Sequence, residues 1–368
     1  MNTVTTSLGD NSYDIHIGCN ILQELGAIAT SVAPATKHFF VVDKNVEQTH
    51  AKEAMQAFGG QCEMVSLDAI ESNKTMASVE SIWSSMLDAG CDRHSELIAI
   101  GGGLTGDVGG FAAATYMRGL QLIQVPTSLL AMVDASIGGK TGVNLPIRSE
   151  DGTSILGKNL AGSFWQPKVV VADVMTLQTL DDRQLRCGLA ECIKHAILGH
   201  QSMMDFILEN TSAILDRDND VLVELVTKSA SIKAKVVSQD EREHGGRALL
   251  NLGHTFAHAI EPMRELDLYH GEAVSIGLVA AVTCAEAMGL VDAERVDQIR
   301  HVLTMAGLPV SLPLPVSIES VLRLMQIDKK NKDSNIRLVL PTNSGAEMYT
   351  EIDETALVLA WTSVGASV

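Results

Sequence analysis

The sequence predicts an α/β N-terminal domain built on a Rossmann-like parallel sheet, followed by an all-α C-terminal domain. Three observations carry this. Buried strand patterns alternate with helical ones through the first half of the chain, the order that gives a parallel sheet covered by helices. A glycine-rich turn, Gly101-Gly-Gly-Leu-Thr-Gly106, joins one such strand to a helix. From Thr179 onward β-branched runs give way to long helical patterns. The expected domains are therefore 1–178 and 179–368, in keeping with two cores for a chain of 368 residues.

Taken in order, residues 1–36 carry short alternating segments (Tyr13 to Ile17) and a helix-like stretch at 20–33. His38-Phe-Phe-Val-Val-Asp43 reads as a buried strand ending in a carboxylate, with Lys44 and Asn45 behind it. A helix (47–58), a strand (62–67), the loop Glu71-Ser-Asn-Lys74 and a helix (76–89) follow. The next strand, 95–100, runs straight into the glycine turn and a helix over 104–117. Gly101, Gly103 and Gly106 satisfy G-x-G-x-x-G in the right context, so backbone N–H groups and a helix N-terminus can approach a pyrophosphate. The acid expected about 20 residues further on is absent, because Leu120 to Val125 is uncharged; Asp43 substitutes as the ribose or adenosine contact.

A strand at 120–126 leads to Thr127-Ser128 and then Asp134-Ala-Ser-Ile-Gly-Gly-Lys-Thr-Gly142. This is no Walker loop, since the first glycine that motif requires would be residue 134, an aspartate. Lys140, and Lys158 in Gly157-Lys-Asn159, are still glycine-presented lysines suited to an anion. Val169 to Asp173 is the last strand of the first domain.

In the second half, the helix 180–195 places Glu191 and Lys194 one turn apart on one face. Helices at 202–216 and 220–238 precede the turn Asp240 to Gly246. The stretch 247–258 reads as one helix, with Arg247, Asn251, His254 and His258 on a single stripe at offsets of four, three and four. A turn at Pro262 leads to Tyr269-His270 and a buried helix at 272–288. A helix (293–305), a Pro-punctuated linker (309–315), a helix (317–326), the basic segment 328–332, a hairpin (335–340 with 346–350) and a final helix (353–361) complete the chain.

Hydrophobic residues at 46% and charged ones at 20% fit a folded globular protein. A net charge of -18 argues against nucleic-acid and anionic-membrane partners, but not against a small anionic substrate held in a local cationic pocket. The apolar run Ala273 to Ala285 is too short to span a bilayer. Six cysteines without C-x-x-C spacing, and no leader pattern, point to reduced thiols and a cytoplasmic location.

A catalytic metal site needs three protein ligands. Glu191, His254 and His270 supply one carboxylate and two imidazoles, suited to Zn²⁺ or a similar ion. Plainer roles stand beside this: an ion pair of Glu191 with Lys194, and a helix cap for His270. His195 shares the face of Glu191 and is the runner-up ligand, while Cys192 points about 100° away. His258 is then free for proton transfer or anion binding. Arg118, Lys140, Lys158, Lys194, Lys233, Arg247 and the Lys329/Lys330 pair all fall in or beside polar motifs, which points to a substrate with two anionic groups.

From about Asp43 to Pro341 the sequence closely resembles the 3-dehydroquinate synthase family. The resemblance rests on Gly101-Gly-Gly-Leu-Thr-Gly-Asp-Val, Val125-Pro-Thr-Ser-Leu-Leu, Asp134-Ala-Ser-Ile-Gly-Gly-Lys-Thr, Gly157-Lys-Asn, Gly188-Leu-Ala-Glu-Cys-Ile-Lys194, Arg247-Ala-Leu-Leu-Asn-Leu-Gly-His-Thr-Phe, His270-Gly-Glu-Ala-Val and Asp328-Lys-Lys. It implies an NAD-binding domain, a helical domain holding one Zn or Co ion on Glu191, His254 and His270, and a site in the groove between them. It places Asp43, Asn45, Glu71, Lys74, Gly102, Gly103, Asp107, Thr127, Ser128, Lys158 and Thr179 near NAD. It implies phosphate contacts from Lys140, Asn159, His258 and Lys329 or Lys330, with Arg118 arriving from the second subunit of a homodimer. Arg247, Lys233 and Asn251 would hold a carboxylate, and Asp134 and Lys194 hydroxyls. The implied enzyme is a lyase of the shikimate pathway, leading to chorismate and the aromatic amino acids. It converts 3-deoxy-D-arabino-heptulosonate 7-phosphate to 3-dehydroquinate and phosphate by transient oxidation, elimination, reduction and intramolecular aldol, with NAD recycled. Another sugar-phosphate cyclase and a metal-dependent polyol dehydrogenase are the alternatives. One departure from the family is the longer segment 147–156, whose Ser-Glu-Asp-Gly tip is expected to form an exposed hairpin.

Overall fold

The computed structural model of the chain describes residues 1–59, 62–148, 154–243, 245–327 and 336–367. The chain forms two compact units, Met1–Leu180 with Leu222–Arg242, and Asp181–Val221 with Glu243–Val368.

The first unit contains β1 (Asn2–Thr6), β2 (Tyr13–Gly18), α1 (Leu25–Val32), β3 (His38–Asp43), α2 (Lys52–Gln56), β4 (Cys62–Leu67), α3 (Met76–Asp88), β5 (Glu96–Gly101), α4 (Gly103–Thr115), β6 (Gln121–Pro126), β7 (Lys140–Arg148), β8 (Ser154–Phe164) and β9 (Val169–Asp173). Seven strands form one sheet in the order β1-β2-β9-β6-β5-β3-β4, parallel except for β1, which pairs antiparallel with β2. Side chains alternate between its faces. Phe39, Val41, Leu97, Ala99 and Leu122 pack in one core with residues of α3 and α4. Phe40, Val42, Ile98, Ile100, Ile123 and Val125 pack in another with α1 and the Ala51 to Ala54 turn. Near-continuous apolar runs are what strands covered on both faces require. The connections leaving β3 and β5 therefore run over opposite faces and in opposite directions along the sheet. Asp43 and the glycine turn flank this switch point, where open α/β sheets bind ligands.

Two features of the first unit depart from the sequence expectation. Residues 140–164 form a two-stranded antiparallel hairpin, with a register shift between Val143 and Leu145. The pairing continues from Ile147↔Ile155 to Arg148↔Ser154, so strands flank the longer segment, whose tip at 149–153 lies outside the described residues. The segment 222–242, expected within the second domain, groups with the first unit. It buries Leu222, Leu225, Val226, Ala230, Ile232, Ala234 and Val237, and polar contacts accompany them: Asn2 donates to Thr227 Oγ1, the Ser7 N–H donates to Ser238 Oγ, and Lys233 reaches Asp134.

The second unit comprises α5 (Asp182–Ile197), α6 (Gln201–Leu215), the first turn of α7 (Asn219–Gln239), α8 (His254–Ile260), α9 (His270–Ala287), α10 (Ala293–Met305), α11 (Ile318–Ile327), the hairpin β10 (Leu338–Thr342) with β11 (Gly345–Tyr349), and α12 (Glu354–Ser363). The helix expected over 247–258 is broken. A 3₁₀ turn spans Gly246–Asn251, and Gly253, at φ 76°, starts α8 afresh. Close backbone approach forces the break. A Cβ at Gly277 would meet the Gly253 carbonyl oxygen at 2.3 Å, and one at Gly253 would meet the Leu278 nitrogen at 3.0 Å. Arg247 and Asn251 thus leave the stripe that His254 and His258 still share. Among the described residues, no helix is long and apolar enough to cross a membrane.

Candidate functional site

In the second unit, three helices aim ligating side chains at one point. Glu191 lies midway along α5, His254 opens α8 and His270 opens α9. The His254 and His270 Nε2 atoms lie 3.6 and 3.4 Å from Glu191 Oε1, and one ligand atom from each of the three residues falls within 4.8 Å of the others. The expected ion pair with Lys194 is also present, both partners being buried. The two roles coexist, because Lys194 takes Oε2 while Oε1 faces the imidazoles. Neither carboxylate oxygen receives a properly directed hydrogen bond. Burial alone would raise this carboxyl, yet the Lys194 ammonium and the two imidazoles hold it well below the usual carboxylate range. A charged, buried carboxylate whose Oε1 faces two imidazoles is a donor set that fits a divalent cation. His195, the runner-up, is fully buried one turn further along α5, and Cys192 is buried as well.

Sequence reasoning missed what holds these ligands. Arg183 Nε and Nη2 donate to the two Glu272 oxygens at 2.7 and 2.8 Å, and its guanidinium lies 3.9 Å from the centre of the Tyr269 ring. The Tyr269 N–H donates to Glu272 Oε2 at 2.8 Å. Together these contacts fix the first turn of α9, and with it His270. The ring of His258 stands 5.7 Å from that of His254. Asn251 donates to Glu243 Oε1 at 3.0 Å, and Arg247 is buried on the same 3₁₀ turn. Glu243, at φ 59°, belongs by sequence only to a polar turn; its one sequence signal is an acid two residues before a glycine pair.

In the first unit, residues gather at the C-terminal ends of β3, β5 and β6. Asp43 Oδ1 accepts from the Asn45 backbone and side chain, both at 3.0 Å. A Cβ at Gly101 would lie 2.6 Å from Asp43 Cβ, and one at Gly102 would meet only Ser128 Oγ, at 3.7 Å. The Thr127 N–H donates to the Gly101 carbonyl at 2.9 Å. The turn is thus tight on one side while open at the N-terminus of α4, which fits a bound pyrophosphate. A second group is threaded by Lys74, which pairs with Asp107 and donates to Asn159 Oδ1 at 2.6 Å. Asn144 ties it together, accepting from the Asn159 N–H (2.8 Å) and donating to Glu71 (2.7 Å). Burial pushes the Asp107 carboxyl up, with Lys74 opposing. Lys233 donates to the Asp134 carboxylate at 2.6 Å. Thr179 Oγ1 pairs with His50 Nε2 at 2.7 Å. Lys140 and Lys158 are exposed on the hairpin, and Arg118 is exposed in a left-handed turn at φ 71°. Lys329 and Lys330 lie outside the described residues.

Comparison with known proteins agrees with this geometry. Residues 64–187 match the family model for the 3-dehydroquinate synthase N-terminal domain, and 188–331 that for its C-terminal domain. A 3-dehydroquinate synthase of Ruminiclostridium cellulolyticum is 41% identical over 96% of both chains. Among solved structures, the 2-epi-5-epi-valiolone synthase of Streptomyces hygroscopicus subsp. jinggangensis, with NAD⁺ and Zn²⁺ bound, is 26% identical at a TM-score of 0.85, over 97% of this chain and 98% of its own. A 2-deoxy-scyllo-inosose synthase complexed with carbaglucose-6-phosphate, NAD⁺ and Co²⁺ is 25% identical at 0.86, over 99% of both chains. Two family models covering most of the sequence, and relatives matched almost end to end, show that the chain belongs to the 3-dehydroquinate synthase family.

Proposed function

We propose that the chain converts 3-deoxy-D-arabino-heptulosonate 7-phosphate to 3-dehydroquinate and phosphate, acting as a cytoplasmic homodimer. The observation that carries this reading is the convergence of Glu191, His254 and His270 in a member of this family. Those three would hold a Zn or Co ion. Asp43, Asn45, Gly102, Gly103, Thr127 and Ser128 at the switch point would hold NAD, with Glu71, Lys74, Asp107, Lys158 and Thr179 around it. When bound, NAD supplies a reversible hydride acceptor and the metal a Lewis acid for a substrate oxygen.

The chain's own groups do the rest. Arg247, Lys233 and Asn251 bind the substrate carboxylate, and Lys140, Asn159, His258 and one of Lys329 or Lys330 its phosphate, with Arg118 supplied by a second copy. Asp134 and Lys194 orient hydroxyls. Held geometry then favours the intramolecular aldol. The test is to supply the heptulosonate phosphate with catalytic NAD⁺ and Zn²⁺ or Co²⁺. Sustained phosphate release without NADH build-up is expected. Turnover restricted to another sugar phosphate, or NADH accumulating from a polyol, would overturn the assignment.

A pH effect follows from the ligand trio. Burial works against a charged His270, yet Glu191 and Glu261 outweigh it and push the ring up to about 10 from the ordinary 6.5. Without metal, the stabilisation from this charged ring is therefore complete below about 6.5 and is lost as pH rises through about 10. A cation must displace that proton. Near neutral pH, metal binding should release about one proton from His270, and the release should fade as pH approaches the raised value. Calorimetric Co²⁺ titrations in buffers of different ionisation enthalpy measure it.

A further inference from the structure

We infer that Glu261 is a positioning residue for His270, deciding which ring nitrogen that histidine turns toward Glu191 and His254. The inference deepens the metal reading above and rests on it. His254, His258 and Glu261 recur at offsets of four and three, so α8 and its C-terminal cap carry all three on one side. Glu261 Oε1 lies 3.5 Å from His270 Nδ1, while Nε2 of the same ring lies 3.4 Å from Glu191 Oε1. Once a cation has displaced one proton, the imidazole carries one N–H and one lone pair. A carboxylate facing Nδ1 keeps the N–H there, which leaves the Nε2 lone pair aimed at the trio.

His254 reaches the same arrangement with a different partner. Its Nδ1 lies 3.1 Å from the Leu252 carbonyl oxygen, which can only accept, and its Nε2 faces Glu191. Two imidazoles from different helices thus present the same nitrogen, each with its other nitrogen held. The location of Glu261 supports a role beyond α8 itself. A carboxylate at a helix C-terminus works against the helix dipole, so the dipole gives no reason for Glu261 at that end of α8. Outer carboxylates of this kind also make the imidazole a stronger donor, and losing one typically weakens metal binding by about 10- to 100-fold.

The test uses the full-length chain, stripped of metal and titrated with Co²⁺ while its visible d–d absorption is followed. Glu261→Ala is expected to bind Co²⁺ about 10- to 100-fold more weakly than the unmodified chain, with shifted bands. Glu261→Gln keeps an acceptor for the Nδ1–H and should fall between the two. Unchanged affinity and bands in Glu261→Ala would overturn the inference. So would a loss of thermal stability alone, with the folded protein binding Co²⁺ normally, since that marks a merely structural role. If Glu261→Ala does not fold, Glu261→Gln decides by the same criteria. Failure of the unmodified chain to bind Co²⁺ would instead overturn the metal reading, so the two failures are distinguishable.

Discussion

Glu191→Gln is expected to abolish measurable Co²⁺ binding and to lower turnover by about 10³-fold or more. A bound metal supplies several kcal/mol of charge stabilisation, and each ~1.4 kcal/mol is a factor of ten in rate. The substitution also removes the carboxylate that Lys194 faces, and both groups of this pair are buried. Breaking a buried pair by removing one partner costs about 3–5 kcal/mol, so the metal-free variant should melt well below the unmodified chain. Glu191→Gln with Lys194→Met separates the two effects. The double variant should recover much of the melting temperature while remaining unable to bind Co²⁺ or to turn over. Recovery of metal binding in it would show that Glu191 is only the partner of Lys194.

Gly271→Ala should impair stability and metal binding together. Its new Cβ would lie 2.3 Å from both the Cys187 Cα and carbonyl oxygen and 2.6 Å from the carbonyl carbon. These are backbone atoms of α5 and cannot swing aside. To regain normal contact at about 3.5 Å, the start of α9 must lift off α5 by roughly an ångström. His270 is the neighbouring residue and Glu191 lies on the helix being left, so the ligands separate as the core opens. We expect a loss of about 1–3 kcal/mol or more, measured by urea denaturation, together with weakened Co²⁺ binding. Gly289→Ala is the control, just beyond the far end of α9. Its φ of 72° makes alanine strained there, but no atom lies within 4 Å of the added Cβ. It should cost about 1–2 kcal/mol and leave Co²⁺ affinity unchanged.

Much of this was readable from local chemistry. Apolar runs such as His38 to Asp43 and Val169 to Asp173 are strands because a sheet covered on both faces needs them. The turn at Gly101 is legible from its context, and the i,i+3 spacing of Glu191 and Lys194 predicts their ion pair. What escaped depends on contacts distant in sequence. Strand β7 contains Gly142, Asn144 and Pro146, residues that read as loop, and only its pairing with β8 makes it a strand. The break at Gly253 hides inside an unbroken helical pattern, because its cause is the close passage of Gly277 on another helix. Helix α7 groups with the first unit although it lies among the helices of the second half in sequence order, and its pattern of buried apolar residues does not say which core it joins. Arg183 and Glu261 look like ordinary surface charges until Tyr269, Glu272 and His270 are set against them.

Anomalous scattering at the cobalt edge, from crystals of the Co²⁺-loaded chain, tests the central claim most directly. One ion per chain is expected, with a Glu191 carboxylate oxygen and the Nε2 atoms of His254 and His270 each about 2.0–2.2 Å away. A cobalt peak elsewhere, or any of the three side chains turned out of coordinating reach of it, would contradict the account.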